Sequence, residues 1–242
     1  SGTLLCSQLC SSASAAMASE EPYNSGIVIR WKDCKQRIDG FGIAQAGWAK
    51  ELFAFKNREQ VMDKMFGKDG LRLNILRGEI FPHYWENETD KDFNLNDDIH
   101  IELSDSDFIN KSDDLLRRGQ LWLTLKAKNK YHISKLVFST WSAPAWMKSN
   151  GKVSNGRLKT ECYTDFANYL AAFYNAYKSK GIAPYAISPS NEPGYAAPWN
   201  SSLWTADEMG KFITSYLGPT FRKENIPAKI IFGENPLWGV YL

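Results

Sequence analysis

Five strand-like apolar stretches punctuate this chain, and a helical stretch, not a hairpin turn, separates each from the next. They are 37–44, 71–77, 135–141, 185–188 and 229–234. Strands joined through helices pair in parallel with right-handed crossovers, so the repetition predicts one parallel sheet. The helices are legible from apolar spacing. Phe166, Leu170, Phe173, Tyr174 and Tyr177 recur at helical intervals over 160–180, with Gly181 as the stop. Thr205 and Glu208 form a capping box ahead of Met209, Phe212, Ile213, Tyr216 and Leu217, and Gly218-Pro219 reads as the end. Earlier, Val61, Met62, Met65 and Phe66 share a face of 58–66, and Leu116, Leu123 and Ala127 a stripe of 115–130. A further short strand is expected over 26–31, outside the repeating series.

The pattern predicts an α/β fold, a TIM (β/α)8 barrel of which about the first five βα units are present. Each unit takes roughly 40–50 residues, so eight would need far more than the 242 available. The expectation is a C-terminally truncated piece, with 19–242 as the partial barrel. Residues 1–18 are small and mildly apolar and end in Ala16-Met17-Ala18, like a signal-peptide tail, so a secreted protein is expected. Export would leave Cys34 and Cys162, and nothing in the sequence requires them to pair. Asn87, Asn110 and Asn200 head glycosylation-type triplets.

A net charge of +2, with no basic run, gives no reason to expect nucleic acid, and no apolar span is long enough for a membrane. His83, His100 and His132 have no ligand spacing, so no metal is expected. Gly40 and Gly42 mark a bend or a close backbone approach, not a dinucleotide fingerprint, because Gln45 stands where a third glycine would.

Chemistry in such barrels sits past the carboxyl ends of the strands. There the chain places Asn191-Glu192-Pro193 after the fourth strand. A carboxylic acid beside an amide suits glycoside cleavage; the bland alternative is a surface turn. Arg77 and Glu79 fall at the end of the second strand, as site residues or as an ion pair. Trp141 ends the third strand and Trp146 lies in the loop that follows; each is a sugar-stacking wall or a plug in the barrel mouth. Tyr195 and Trp199 follow Glu192, and the acidic stretch 82–113 reads as a long loop on the same face.

With these residues in view, the chain resembles glycoside hydrolase family 30, retaining β-glycosidases that include glucosylceramidases, glucuronoxylanases, β-1,6-glucanases and β-1,6-galactanases. The likeness rests on Asp39-Gly40-Phe41-Gly42, on Leu73 to Arg77, and on Trp141-Ser142-Ala143-Pro144-Ala145-Trp146-Met147-Lys148-Ser149-Asn150-Gly151. It continues through Ala186-Ile187-Ser188, Asn191-Glu192-Pro193, Trp204-Thr205 and Leu217-Gly218-Pro219-Thr220. The resemblance implies Glu192 as acid/base, Asn191 as holder of the sugar beside the scissile bond, Arg77 as an active-site arginine and Trp141 as a subsite wall. It implies no cofactor, a polysaccharide or glycolipid substrate and a monomer when complete. In that family the nucleophile closes the seventh strand. Here it is expected beyond Leu242, with Glu234 as the lesser alternative. The rival expectation is a catalytically incomplete fragment that binds carbohydrate through Trp141, Trp146 and Trp199.

Overall fold

The computed structural model describes residues 30–45, 48–85, 88–89 and 113–235, with side chains from Gly119 onward in the helix that opens at Asp113. Residues 1–18, including the signal-like tail, lie outside the described residues. The chain forms two units, Ser1–Asp39 and Gly40–Leu242. In the first, a turn is closed by the Asp33 N–H on the Arg30 carbonyl at 3.0 Å. Arg30 and Trp31 are not strand, and the rest of the strand expected over 26–31 lies outside the described residues.

The second unit holds a five-stranded sheet: β1 (Gly42–Ala44), β2 (Ile75–Ile80), β3 (Lys135–Thr140), β4 (Ala186–Ser188) and β5 (Lys229–Ile230). The strands lie side by side in chain order and every pair is parallel. This is the expected α/β succession of a partial barrel. Its helices are α1 (Ala49–Ala54), α2 (Arg58–Phe66), α3 (Asp113–Tyr131), α4 (Tyr163–Ser179), α5 (Ala206–Phe212) and α6 (Gly218–Lys223). Among the described residues no helix is long and apolar enough to cross a membrane.

Register assigns the two faces of the sheet. Arg77 pairs with Val137, Glu79 with Ser139, and Ser139 with Ser188, so these side chains share one face. The opposite face carries Leu76, Ile80, Leu136, Phe138 and Ile187, all buried. Phe138 packs on Phe173 and Tyr177 of α4, with ring centres 5.1 and 4.9 Å away. A Cβ on Gly78 would stand 2.7 Å from Phe138 Cε1 and 2.8 Å from Gln120 Oε1, which is why this strand position is bare. The helices therefore cover the apolar face, and the polar face is left for chemistry.

Several boundaries differ from the sequence expectation. The second strand starts at Ile75, not near 71, because the Leu71 and Leu73 N–H groups return to the Lys64 and Met65 carbonyls at the end of α2, at 2.8 and 3.0 Å. Arg77 thus stands inside β2, with Glu79 nearer its end. β1 spans only Gly42–Ala44, and a Cβ on Gly42 would meet the Ile75 carbonyl at 2.7 Å, the close approach its glycine implied. Gly218-Pro219 does not end a helix. The chain widens into a π-helical turn over Ile213–Leu217 and continues as α6, with Pro219 in the first turn, where a missing N–H is tolerated. At α4 the stop holds: Gly181 has φ 80, and the Ile182 N–H returns to the Tyr177 carbonyl at 3.0 Å.

Candidate active site

Past β4 the chain stays tied to both neighbours before it turns away. The Asn191 N–H donates to the Thr140 carbonyl at 2.7 Å, and the Glu192 N–H to the Glu234 carbonyl at 2.9 Å. Pairing therefore runs through Glu192 and ends at Pro193. Glu192 has φ 44, a left-handed conformation that costs a non-glycine residue about 1 kcal/mol or more and gathers at functional sites. The hydrogen bond to Glu234 holds it there. The Tyr195 N–H on the Glu192 carbonyl, at 2.9 Å, closes the turn behind it.

Four side chains, from β2, β3 and the segments that follow β4 and β5, meet beside this turn. Arg77 donates through Nε and NH2 to the two oxygens of Glu234, at 3.2 and 3.1 Å. Its NH2 also donates to Asn191 Oδ1 at 2.7 Å. Ser139 Oγ donates to Glu234 Oε2 at 2.5 Å. With Oδ1 taken by Arg77, the Asn191 amide presents its NH2, a donor suited to a sugar hydroxyl. The bidentate fork fixes the Arg77 plane, and through it Asn191. Glu234 is thus a clamp between strands: its carboxylate orients Arg77, and its carbonyl holds Glu192.

The alternative pairing of Arg77 with Glu79 is replaced by this one. Glu79 is buried and serves a different contact, accepting from Asn200 Nδ2 at 3.4 Å. Its backbone faces the side where β1 has already ended. There Gln120 of α3 substitutes for a strand: Oε1 accepts from the Glu79 N–H at 2.6 Å, and Nε2 donates to its carbonyl at 2.7 Å.

The aromatic residues divide. Tyr195 and Trp199, 45% and 50% exposed, stand ring to ring at 6.2 Å and form an open platform on the loop after β4. Trp141 is half-buried directly after β3. Trp146 packs against the core and donates its indole N–H to the Trp85 carbonyl at 3.2 Å, while Lys159 Nζ binds its own carbonyl at 2.9 Å. It is an anchor of its loop more than a free wall. Cys34, exposed, and Cys162, buried, are not joined in a disulfide. Among the described residues no group of three His, Cys, Asp or Glu side chains is arranged for a metal ion; His100 and most of the acidic stretch 82–113 lie outside them.

Ser139, Gln120 and the clamping role of Glu234 escaped the sequence reading. Ser139 left a trace: a polar residue in phase with Arg77 and Glu79, on the face of β3 opposite Phe138. Gln120 left none.

Parallel strands in chain order, with charged and amide side chains gathered past their carboxyl ends, are the arrangement in which (β/α)8 barrels build an active site. The chain belongs to glycosyl hydrolase family 30: residues 38–232 match the family described as "Glycosyl hydrolase family 30 TIM-barrel domain". It is 30% identical over 220 residues to putative glucosylceramidase 3 of Caenorhabditis elegans, covering 85% of this chain and 40% of that protein. With the glucuronoxylanase XynC of Bacillus subtilis (strain 168), it shares 27% over 238 residues, 96% of this chain and 46% of that one. The crystal structure of SrfJ from Salmonella typhimurium superposes with a TM-score of 0.64 at 25% identity, over 82% of this chain and 44% of that one. The chain thus spans less than half the length of these relatives.

Proposed function

We propose that this chain contributes the acid/base half of a retaining glycosidase acting on β-linked glycans. The substrate classes are xylan, β-1,6-glucan, β-1,6-galactan and glucosylceramide-type lipids. The observation that carries the reading is the convergence of Arg77 from β2 with Asn191 and Glu234, which follow β4 and β5, beside the turn that holds Glu192. In this reading Glu192 protonates the glycosidic oxygen as the bond breaks, and the nucleophile attacks the anomeric carbon. Glu192 then takes a proton from the water that releases the sugar. Asn191 donates to a hydroxyl of the sugar being cleaved, and Trp141, Tyr195 and Trp199 give it flat apolar surface.

A retaining pair needs its two carboxylates about 5–5.5 Å apart. Glu234 is committed to Arg77 and Ser139, so we assign it the clamp and seek the nucleophile beyond Leu242 in the whole protein. A second reading is a pseudo-enzyme, in which the whole protein grips glycan through Trp141, Trp146 and Trp199 and has no nucleophile with which to cleave it. Incubating the whole protein with the four substrate classes, and following the first anomer released by NMR, separates the two. A β-anomer supports the enzyme, an α-anomer contradicts retention, and binding without release supports the second reading.

A further inference from the structure

Lys148 closes the tryptophan-rich stretch after β3, and its side chain has no exposed surface. Its ammonium donates to three oxygens: Ser142 Oγ at 3.0 Å, the Ser201 carbonyl at 2.7 Å and Ser202 Oγ at 2.9 Å. Three N–H donors meet three acceptors, which is the full complement of a protonated amine. All three acceptors are neutral. Burial pushes the Lys148 pKa down to about 8, the mark of a cation held out of water at a cost that its three hydrogen bonds offset.

The three oxygens come from two loops. Ser142 lies on the loop leaving β3, one residue from Trp141. Ser201 and Ser202 lie on the loop leaving β4, next to Trp199 and Asn200. Backbone bonds already tie these loops farther along: Ser201 N–H to the Val153 carbonyl at 3.0 Å, and Leu203 N–H to the Gly156 carbonyl at 2.9 Å. Near the strand ends, the tie to Ser142 is made by the ammonium. We propose that Lys148 is a positioning residue: its ammonium pins the loop after β3 to the loop after β4, and so sets the spacing between Trp141 and the Trp199–Asn200 segment across which glycan binds. The ligand rests on the function proposed above; the pin does not.

The test combines hydrogen exchange over 142–158 and 197–204 with the affinity for xylo-oligosaccharides and β-1,6-linked gluco-oligosaccharides measured by calorimetry. In Lys148→Met, amides in both loops should exchange at least about tenfold faster while α4 is unchanged, and sugar affinity should fall about tenfold. Ser202→Ala removes one acceptor and should shift both readouts the same way by less, which keeps the test open if the methionine variant fails to fold. Unchanged loop exchange, or acceleration that runs equally through α4, overturns the pin. Faster loop exchange with unchanged affinity overturns its positioning role. If the unaltered protein binds neither sugar, xylan and β-1,6-glucan fall as its ligands, and the exchange data alone decide the pin.

Discussion

The buried ammonium of Lys148 makes stability depend on pH in an uncommon direction. Burial holds its pKa at about 8 in the fold, against 10.5 in the open chain. Between those values the unfolded chain binds more protons than the folded one, so unfolding free energy rises with pH. At 1.36 kcal/mol per pH unit, the interval between about 8 and 10.5 limits the gain to about 3 kcal/mol. Most of it should appear between pH 7 and pH 10. Other groups act the opposite way over the upper part of this range. Burial raises the pKa of Tyr131 and of Tyr163, so the fold retains protons that the open chain gives up. Lys148→Met leaves those groups in place, so the comparison of the two proteins isolates the lysine. Urea unfolding at pH 7, 8, 9 and 10 should show the unaltered protein gaining on Lys148→Met by about 1 kcal/mol at pH 9 and about 2 kcal/mol at pH 10, relative to pH 7. A difference that stays flat over this range refutes the account of a buried cation, and a difference that narrows refutes its sign.

Other consequences follow from the site and the core. Arg77→Met leaves the Glu234 carboxylate without its fork and should cost about 2–4 kcal/mol by urea unfolding; adding Glu234→Gln should recover part of that, and strictly additive losses would deny the coupling. Gln120→Ala orphans both backbone groups of Glu79 and should cost about 2–4 kcal/mol, well above the loss for an exposed glutamine such as Gln60. Phe138→Ala, at a ring 1% exposed against α4, should lower stability by about 3–5 kcal/mol; a loss under 1 kcal/mol would place the core elsewhere.

The parallel order and the long helix α4 were legible because both depend on local spacing: apolar runs for strands, and Phe166 to Tyr177 at helical intervals. Strand ends were not. The backbone of Leu71–Leu73 is spent on the end of α2, and short strands stop where their partners stop. Gly218-Pro219 reads as a helix end in any local rule, yet a π turn before it lets the helix continue. Glu192 was legible from its place after a strand, but Glu234 was not legible as a clamp, since Arg77 lies 157 residues away from it in sequence. The sequence marked Lys148 only as part of the tryptophan-rich stretch, and its burial rests on three serine oxygens, two of them more than fifty residues away.

The central claim is that Glu192 supplies the proton to the leaving oxygen. Its most direct test is the leaving-group dependence of Glu192→Gln in the whole protein. The first step should survive with a dinitrophenyl glycoside, which needs no acid, and fall by about a thousandfold or more with the natural glycan. Equal losses on both substrates, or full activity on the natural glycan, would contradict it.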